Sequence, residues 1–246
     1  PSSWGQAMEL KLQRNLVLQE LSLLQGVVEH RTTIPILSSI LAEAAEGHLR
    51  MVATDLDMTI MTQCPAEVRG DGRLTLESRV FQNLVRSLPE EELRLRQDGD
   101  TVELSSGRFR SRLSVADPAD YPTVPDVPPG DDYWLPLDLF QTMIDRVVFA
   151  ITKDDPKFQL NGALVKLIPG ELEIAATDGH RLAMVRAATP EGTPPFEQQL
   201  FPRKLLNEFS RFSDERVAIS VGDNHLGFRM GERTLVSRIV ELRFPQ

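Results

Sequence analysis

A chain of 246 residues with 41% hydrophobic and 26% charged side chains has ordinary globular composition, which excludes the disordered and fibrous classes. Its single cysteine excludes an internal disulfide or a multi-cysteine metal site, and its four histidines are scattered. Segments as apolar as the roughly 20 residues of a membrane helix are missing, so a cytoplasmic protein is expected, and the net charge of −9 argues at first against a nucleic-acid partner.

Residues 1–7, PSSWGQA, precede the strand-like segment opening at Met8 and read as an extension outside the fold. Val17, Leu21, Leu24 and Val28 then recur at helical spacing within 14–28. HRTTIP, 30–35, places Arg31 on a connection, where phosphate contact and plain solvation are both open. LRMVATDLDMTIMT, 49–62, is strand-like, and SRVFQNLVRSL, 78–88, has a helical stripe at Phe81, Leu84, Val85 and Leu88. From 92 to 115 apolar and polar residues alternate around Asp98-Gly99 and Ser106-Gly107, the signature of consecutive hairpins. The proline-rich stretch 116–134 reads as an extended linker, with a boundary near 125–133.

The second half repeats the first. Phe140, Met143, Ile144 and Val147 form a stripe within 136–150, and KDDPK, 153–157, a charged turn without EF-hand ligand spacing. FQLNGALVKL and LEIAATDGHRLAMV are strand-like, and PRKLLNEFSRF, 202–212, carries the last stripe. Asp55 and Asp178 lie 123 residues apart, Asn83 and Asn207 lie 124 apart, as do Gly107 and Gly231, and Tyr121-Pro122 matches Phe244-Pro245. The expectation is an α+β fold of two domains, 8–125 and 133–246, each an antiparallel sheet backed by two helices.

Charge is unevenly spread. Segment 14–28 is neutral and 136–150 is −1, but 79–88 and 202–212 are each +2, within a chain of −9. Basic helices on an acidic body can present themselves to a polyanion, or simply be solvated. Asp178 with His180 invites an acid–base reading, and a hydrolase built on this pair is one alternative. The repeat weakens it, because the first copy keeps Thr-Asp but has Leu56-Asp57 where the second has Gly179-His180; a shared Asp at a strand end suits capping of backbone N–H groups. Nucleophile-elbow, P-loop, dinucleotide and HExxH zinc motifs are not found, so no catalytic, metal or cofactor residue is assigned.

RTTIPILSSIL (31–41), ATDLDM (53–58), LNG (160–162), ATDGHRLA (176–183), PRKLL (202–206) and RFP (243–245) together resemble the bacterial DNA polymerase III β subunit, the sliding clamp. The resemblance covers about Met8–Pro245 and implies a non-catalytic ring component whose helices face duplex DNA without sequence preference. It implies phosphate contacts at Arg31, Arg79, Lys153, Lys157, Phe158, Arg203 and Lys204. It also implies a partner-peptide pocket walled by Leu160, Thr177, Gly179, His180, Arg181, Leu182 and Pro245, shared by the polymerase α subunit, the clamp loader and repair polymerases. Arg108 and Arg110 would lie at the subunit interface of a homodimer. That family has three such domains per chain, so a third, C-terminal domain is expected beyond Gln246. A trimer of two-domain chains is the alternative that length favours.

Overall fold

The structure, a computed structural model, describes residues 8–28, 33–128, 133–152, 161–189 and 196–240. The chain divides into two compact units between Pro125 and Asp126.

Unit 1 runs β1 (Glu9–Gln13), α1 (Arg14–Leu24), β2 (Ser39–Ala45), β3 (His48–Thr54), β4 (Met58–Arg69), β5 (Gly72–Glu77), α2 (Ser78–Ser87), β6 (Glu92–Asp98), β7 (Thr101–Ser106) and β8 (Phe109–Ser114). Its strands pair antiparallel in the order β8-β7-β6-β1-β4-β3-β2-β5. The alternation in 92–115 becomes two hairpins, with Asp98 opposite Thr101 and Ser106 opposite Phe109. Period-two alternation puts Leu10, Leu12, Leu93, Leu95, Val102 and Leu104 on the buried face; Val17, Leu21 and Leu24 of α1 and Phe81 and Val85 of α2 are buried too, α1 packing on β1, β4 and α2, and α2 on β5. Each fully buried side chain of this kind contributes about 1.5–3 kcal/mol. Glu77 caps α2, its carboxylate accepting the Val80 N–H at 2.6 Å. Tyr121 is buried and donates its hydroxyl to the Val52 carbonyl at 3.1 Å, tying the end of the unit to β3.

Glu20 of α1 points inward, 6% exposed, and accepts the Thr62 hydroxyl of β4. Cys64 is buried nearby, and burial together with the Glu20 charge pushes its thiol up to about 12, so it behaves as a small core hydrophobe.

Unit 2 repeats the order: β9 (Tyr133–Pro136), α3 (Leu137–Asp145), β10 (Gly162–Ile168), β11 (Glu171–Thr177), β12 (Leu182–Ala188), β13 (Phe196–Pro202), α4 (Arg203–Glu208), β14 (Arg216–Val221), β15 (His225–Met230) and β16 (Arg233–Arg238). Within the unit, two four-stranded runs form, β16-β15-β14-β9 and β12-β11-β10-β13. In unit 1 the two halves are joined by β4, whose last four residues pair with β1. The stretch of unit 2 that corresponds to that end of β4 overlaps 190–195, outside the described residues.

The core of unit 2 is aromatic. Phe140, Phe201, Phe209 and Phe228 make four edge-to-face contacts with centroids 5.0–6.5 Å apart. The Gln141 amide of α3 donates to the Phe209 and Phe212 carbonyls at 2.7 and 2.9 Å, adding to the Phe212 N–H that the first already accepts at 3.2 Å and tying α3 to the end of α4. Gly162 of the LNG motif lies where β10 meets β13; a Cβ there would come within 2.5 Å of the Phe201 carbonyl.

The α+β architecture of repeated antiparallel sheets with two helices each is thus observed. The helices are shorter than their stripes suggested. α1 ends at Leu24 rather than Val28, where Gly26 and two β-branched valines follow; α3 ends at Asp145, with Val147 leaving helical geometry at φ −123°; α4 gives way to a 3-10 turn, Phe209–Arg211.

Candidate functional site

ATDGHRLA forms the end of β11, a tight turn and the start of β12. The Thr177 hydroxyl donates to the Arg181 carbonyl at 2.7 Å and accepts the Gly179 N–H at 3.1 Å. Asp178 Oδ1 accepts the N–H groups of His180 and Arg181, both at 3.0 Å, and Oδ2 accepts Arg181 Nε at 2.9 Å. Those two backbone hydrogen bonds, with the Arg181 guanidinium, hold the Asp178 carboxyl below the usual carboxylate range. Both oxygens are therefore engaged by groups other than the His180 ring, and among the described residues that ring makes no hydrogen bond. The acid–base pair on which a hydrolase depends is not assembled, which corrects that alternative.

The turn instead fixes a display. Leu182 and Met184 alternate onto the same side of β12, 62% and 50% exposed. At the turn itself, the Arg181 guanidinium donates Nη2 to the Phe149 carbonyl at 2.9 Å and lies 5.2 Å from the centroid of the Phe149 ring. Exposed leucine and methionine beside a held cation suit an apolar ligand with an adjacent acceptor, and such chemistry is binding.

The helices carry the other candidate face. On α2, Arg79 and Arg86 are exposed, seven residues apart, and neither makes an ion pair or hydrogen bond among the described residues. On α4, Arg203 is half-buried and donates Nη1 to the Ile151 carbonyl at 2.8 Å; Lys204 is exposed, and Arg211 pairs with Glu208 at 3.0 Å. Glu20 and Glu208, counted with the helices in the sequence, are both buried, Glu208 while still paired with Arg211.

Residues 8–125 match the family described as DNA polymerase III beta subunit, N-terminal domain, and residues 134–246 the central domain of the same subunit. The chain belongs to the bacterial DNA polymerase III β-subunit family. Among curated proteins it is 32% identical over 243 residues to the beta sliding clamp of Pseudomonas aeruginosa, covering 97% of this chain and 66% of that one. It is 33% identical over 248 residues to the clamp of Caulobacter vibrioides, covering 97% and 67%. The chain spans about two thirds of the length of these relatives. The solved β subunit of P. aeruginosa superposes with a TM-score of 0.91 at 31% identity over 97% of this chain and 66% of its own, and another from that organism is bound to griselimycin. The Bacillus subtilis clamp, 24% identical, shares the fold with a TM-score of 0.93 over 98% of this chain and 67% of its own.

Of the residues that the β-subunit resemblance singled out, the structure brings Thr177, Gly179, His180, Arg181 and Leu182 together on one turn and strand start. Leu160 and Pro245, and the DNA-contact candidates Arg31, Lys153, Lys157 and Phe158, lie outside the described residues. Arg79 stands in unit 1, and Arg203 and Lys204 in unit 2. Arg108 is exposed in the β7–β8 turn, and Arg110 on β8, the last strand of its sheet order, donates to the Gly107 and Phe109 carbonyls at 2.7 and 2.8 Å. Phe149, Met184 and Arg86 had not been singled out. Arg86 was legible as the second unbalanced cation on the 78–88 stripe, whereas Phe149 carried no signal, since its place beneath Arg181 depends on tertiary folding.

Proposed function

We propose that this chain supplies two domains, 8–125 and 133–246, of a DNA sliding clamp, a non-catalytic ring that travels on duplex DNA and tethers proteins of replication and repair. Membership of the β-subunit family supports this reading. So do Arg79 and Arg86 on α2, without partners among the described residues, which offer phosphate contacts without base recognition, a weak and salt-dependent attraction suited to sliding. Arg203, Lys204, Arg31 and the 153–158 segment with Lys153, Lys157 and Phe158 are the further DNA contacts that the family resemblance implies. In the whole protein a third domain completes the chain, two chains close the ring through the β8 edge at Arg108 and Arg110, and the assembly works in the cytoplasm.

The single observation that carries the tethering role is the Thr177–Met184 segment: its carboxylate is consumed by structure, while Leu182, Met184 and one arm of Arg181 face solvent. Short linear peptides of the polymerase α subunit, the clamp loader and repair polymerases would dock there by apolar anchors, with Thr177, Gly179, His180, Leu160 and Pro245 completing the wall. Griselimycin, bound by the P. aeruginosa clamp, is the probe. In isothermal titration the Leu182→Asp variant is expected to bind it at least about ten-fold more weakly than the unsubstituted chain, through the loss of one buried anchor. Equal affinities would remove this surface from the pocket.

A further inference from the structure

We propose that Phe149 is a positioning residue of the peptide site, a platform that presents the Arg181 guanidinium to the ligand; this rests on the peptide-site reading above. Three observations meet at this residue. First, Arg181 is held on two sides, by Asp178 Oδ2 at Nε and by the Phe149 carbonyl at Nη2, both at 2.9 Å. Second, its guanidinium carbon stands 5.2 Å from the centroid of the Phe149 ring, so one face of the cation rests on an aromatic surface. Third, Phe149 is 55% exposed, an unusual state for so large an apolar side chain, and its ring therefore borders the surface on which a ligand would sit.

The platform is itself rigid. Phe149 belongs to the 3-10 turn Val148–Ala150 that follows α3, closed by the Ala150 N–H on the Val147 carbonyl at 2.9 Å and the Ile151 N–H on the Val148 carbonyl at 3.3 Å. Two residues beyond Phe149, the Ile151 carbonyl accepts Arg203 Nη1 at 2.8 Å, so α4 pins the turn from its other end. The Arg181 side chain is thus ordered before any ligand arrives, with Nη1, which has no partner among the described residues, and its outer face left to meet an acceptor or a second flat group. Pre-ordering removes from binding the entropy that a free arginine would lose. The arrangement is special to unit 2: at the repeat spacing of 123, Phe149 falls on Gly26 and Arg181 on Met58. The ligand chemistry that this favours is a peptide carrying a carboxylate or carbonyl acceptor next to its apolar anchors.

The test is a double-substitution cycle on the 246-residue chain, read by griselimycin titration and by the Arg181 Nε–H resonance in nitrogen-15 spectra. Phe149→Leu keeps the turn apolar and its carbonyl in place, and is expected to weaken binding about five-fold, with Arg181→Ala weakening it about ten-fold. The double variant should bind no more weakly than Arg181→Ala alone, because Phe149 acts through Arg181. The Nε–H resonance, shifted by the ring beneath it, should move in Phe149→Leu and return in Phe149→Tyr, a response that general destabilisation does not produce. Additive losses, or a resonance indifferent to residue 149, would overturn the assignment. If Arg181→Ala binds as tightly as the unsubstituted chain, the peptide-site reading itself fails and the role of Phe149 in it falls too; a loss there without one in Phe149→Leu overturns only the latter.

Discussion

The Thr-Asp turn occurs twice, once in each unit, with the same hydrogen bonds and different consequences. In unit 1 the Thr54 hydroxyl donates to the Met58 carbonyl and accepts the Leu56 N–H, and Asp55 Oδ1 accepts the N–H groups of Asp57 and Met58. Unit 2 repeats each bond with Thr177, Gly179, Asp178, His180 and Arg181. The third position is left-handed in both, φ 78° at Leu56 and 85° at Gly179. What differs is what lies beyond the turn: Met58 is buried, whereas Arg181 is held in the open by Phe149. The same contrast recurs in the helices, where Arg79 has no partner among the described residues and its repeat partner Arg203 is tied to the Ile151 carbonyl. A shared scaffold therefore fixes the backbone, and the side chains added to it decide what each copy displays.

The largest effect that can break this comparison lies in the two cores. Phe209 and its repeat partner Val85 are both fully buried, yet only the former belongs to an aromatic cluster. Phe209→Ala should cost about 3–5 kcal/mol in urea unfolding and Val85→Ala about 2 kcal/mol, with hydrogen exchange rising in β10–β15 for the first and in β1–β7 for the second. Next, Gln141→Ala removes the amide donor of the Phe212 carbonyl and leaves the Phe209 carbonyl with the Phe212 N–H alone, and should cost about 1–2 kcal/mol, whereas the repeat partner Leu18 makes no such bond.

The turns themselves should respond with opposite signs. Gly179→Ala forces a side chain into a left-handed conformation and should cost about 1–2 kcal/mol, while Leu56→Gly should raise the unfolding free energy by about 0.5 kcal/mol, since glycine's entropy offsets part of the relief. Should both substitutions destabilise, the equivalence of the turns is wrong. Arg79→Gln should leave the melting temperature nearly unchanged and reduce the slope of log affinity for duplex DNA against log salt by about 0.9, whereas Arg203→Gln should lose about 1 kcal/mol of stability for a smaller change in slope.

The smallest effect is a pH response. The folded-state carboxyl of Asp178 titrates lower than an unfolded one, so its contribution is present above the ordinary carboxylate value of about 3.9 and is lost as pH falls through the lowered folded value. The side-chain carboxyl carbon resonance of Asp178 should hold still from neutral pH down to about 5 and move only below about 3.9. A midpoint at or above about 3.9 would mean that the turn does not favour the carboxylate.

Much of this was legible in the chain itself. The internal repeat predicted two copies of one fold because residues at fixed offsets recur with their apolar neighbours, and Asp98-Gly99 and Ser106-Gly107 marked hairpins that the registers show. The Glu46-Gly47 turn escaped notice although both residues are left-handed, because glutamate is seldom the first partner of such a loop. Helix ends were misplaced where β-branched residues prolong an apolar stripe past the backbone's ability to follow it. Asp178 was expected to cap backbone groups and does. The Phe149–Arg181 contact was invisible, since 32 residues separate the pair and neither periodicity nor motif links them.

A turn that closes on its own threonine and aspartate does not use the two side chains at its tip to close, and asks of the first only that it accept a left-handed backbone. After a duplication, those tip positions are the cheapest place for the copies to diverge, because neither strand depends on them. Leu56-Asp57 and Gly179-His180 are two outcomes of that freedom, and a lineage acquiring a new ligand preference would change there before it changed the strands.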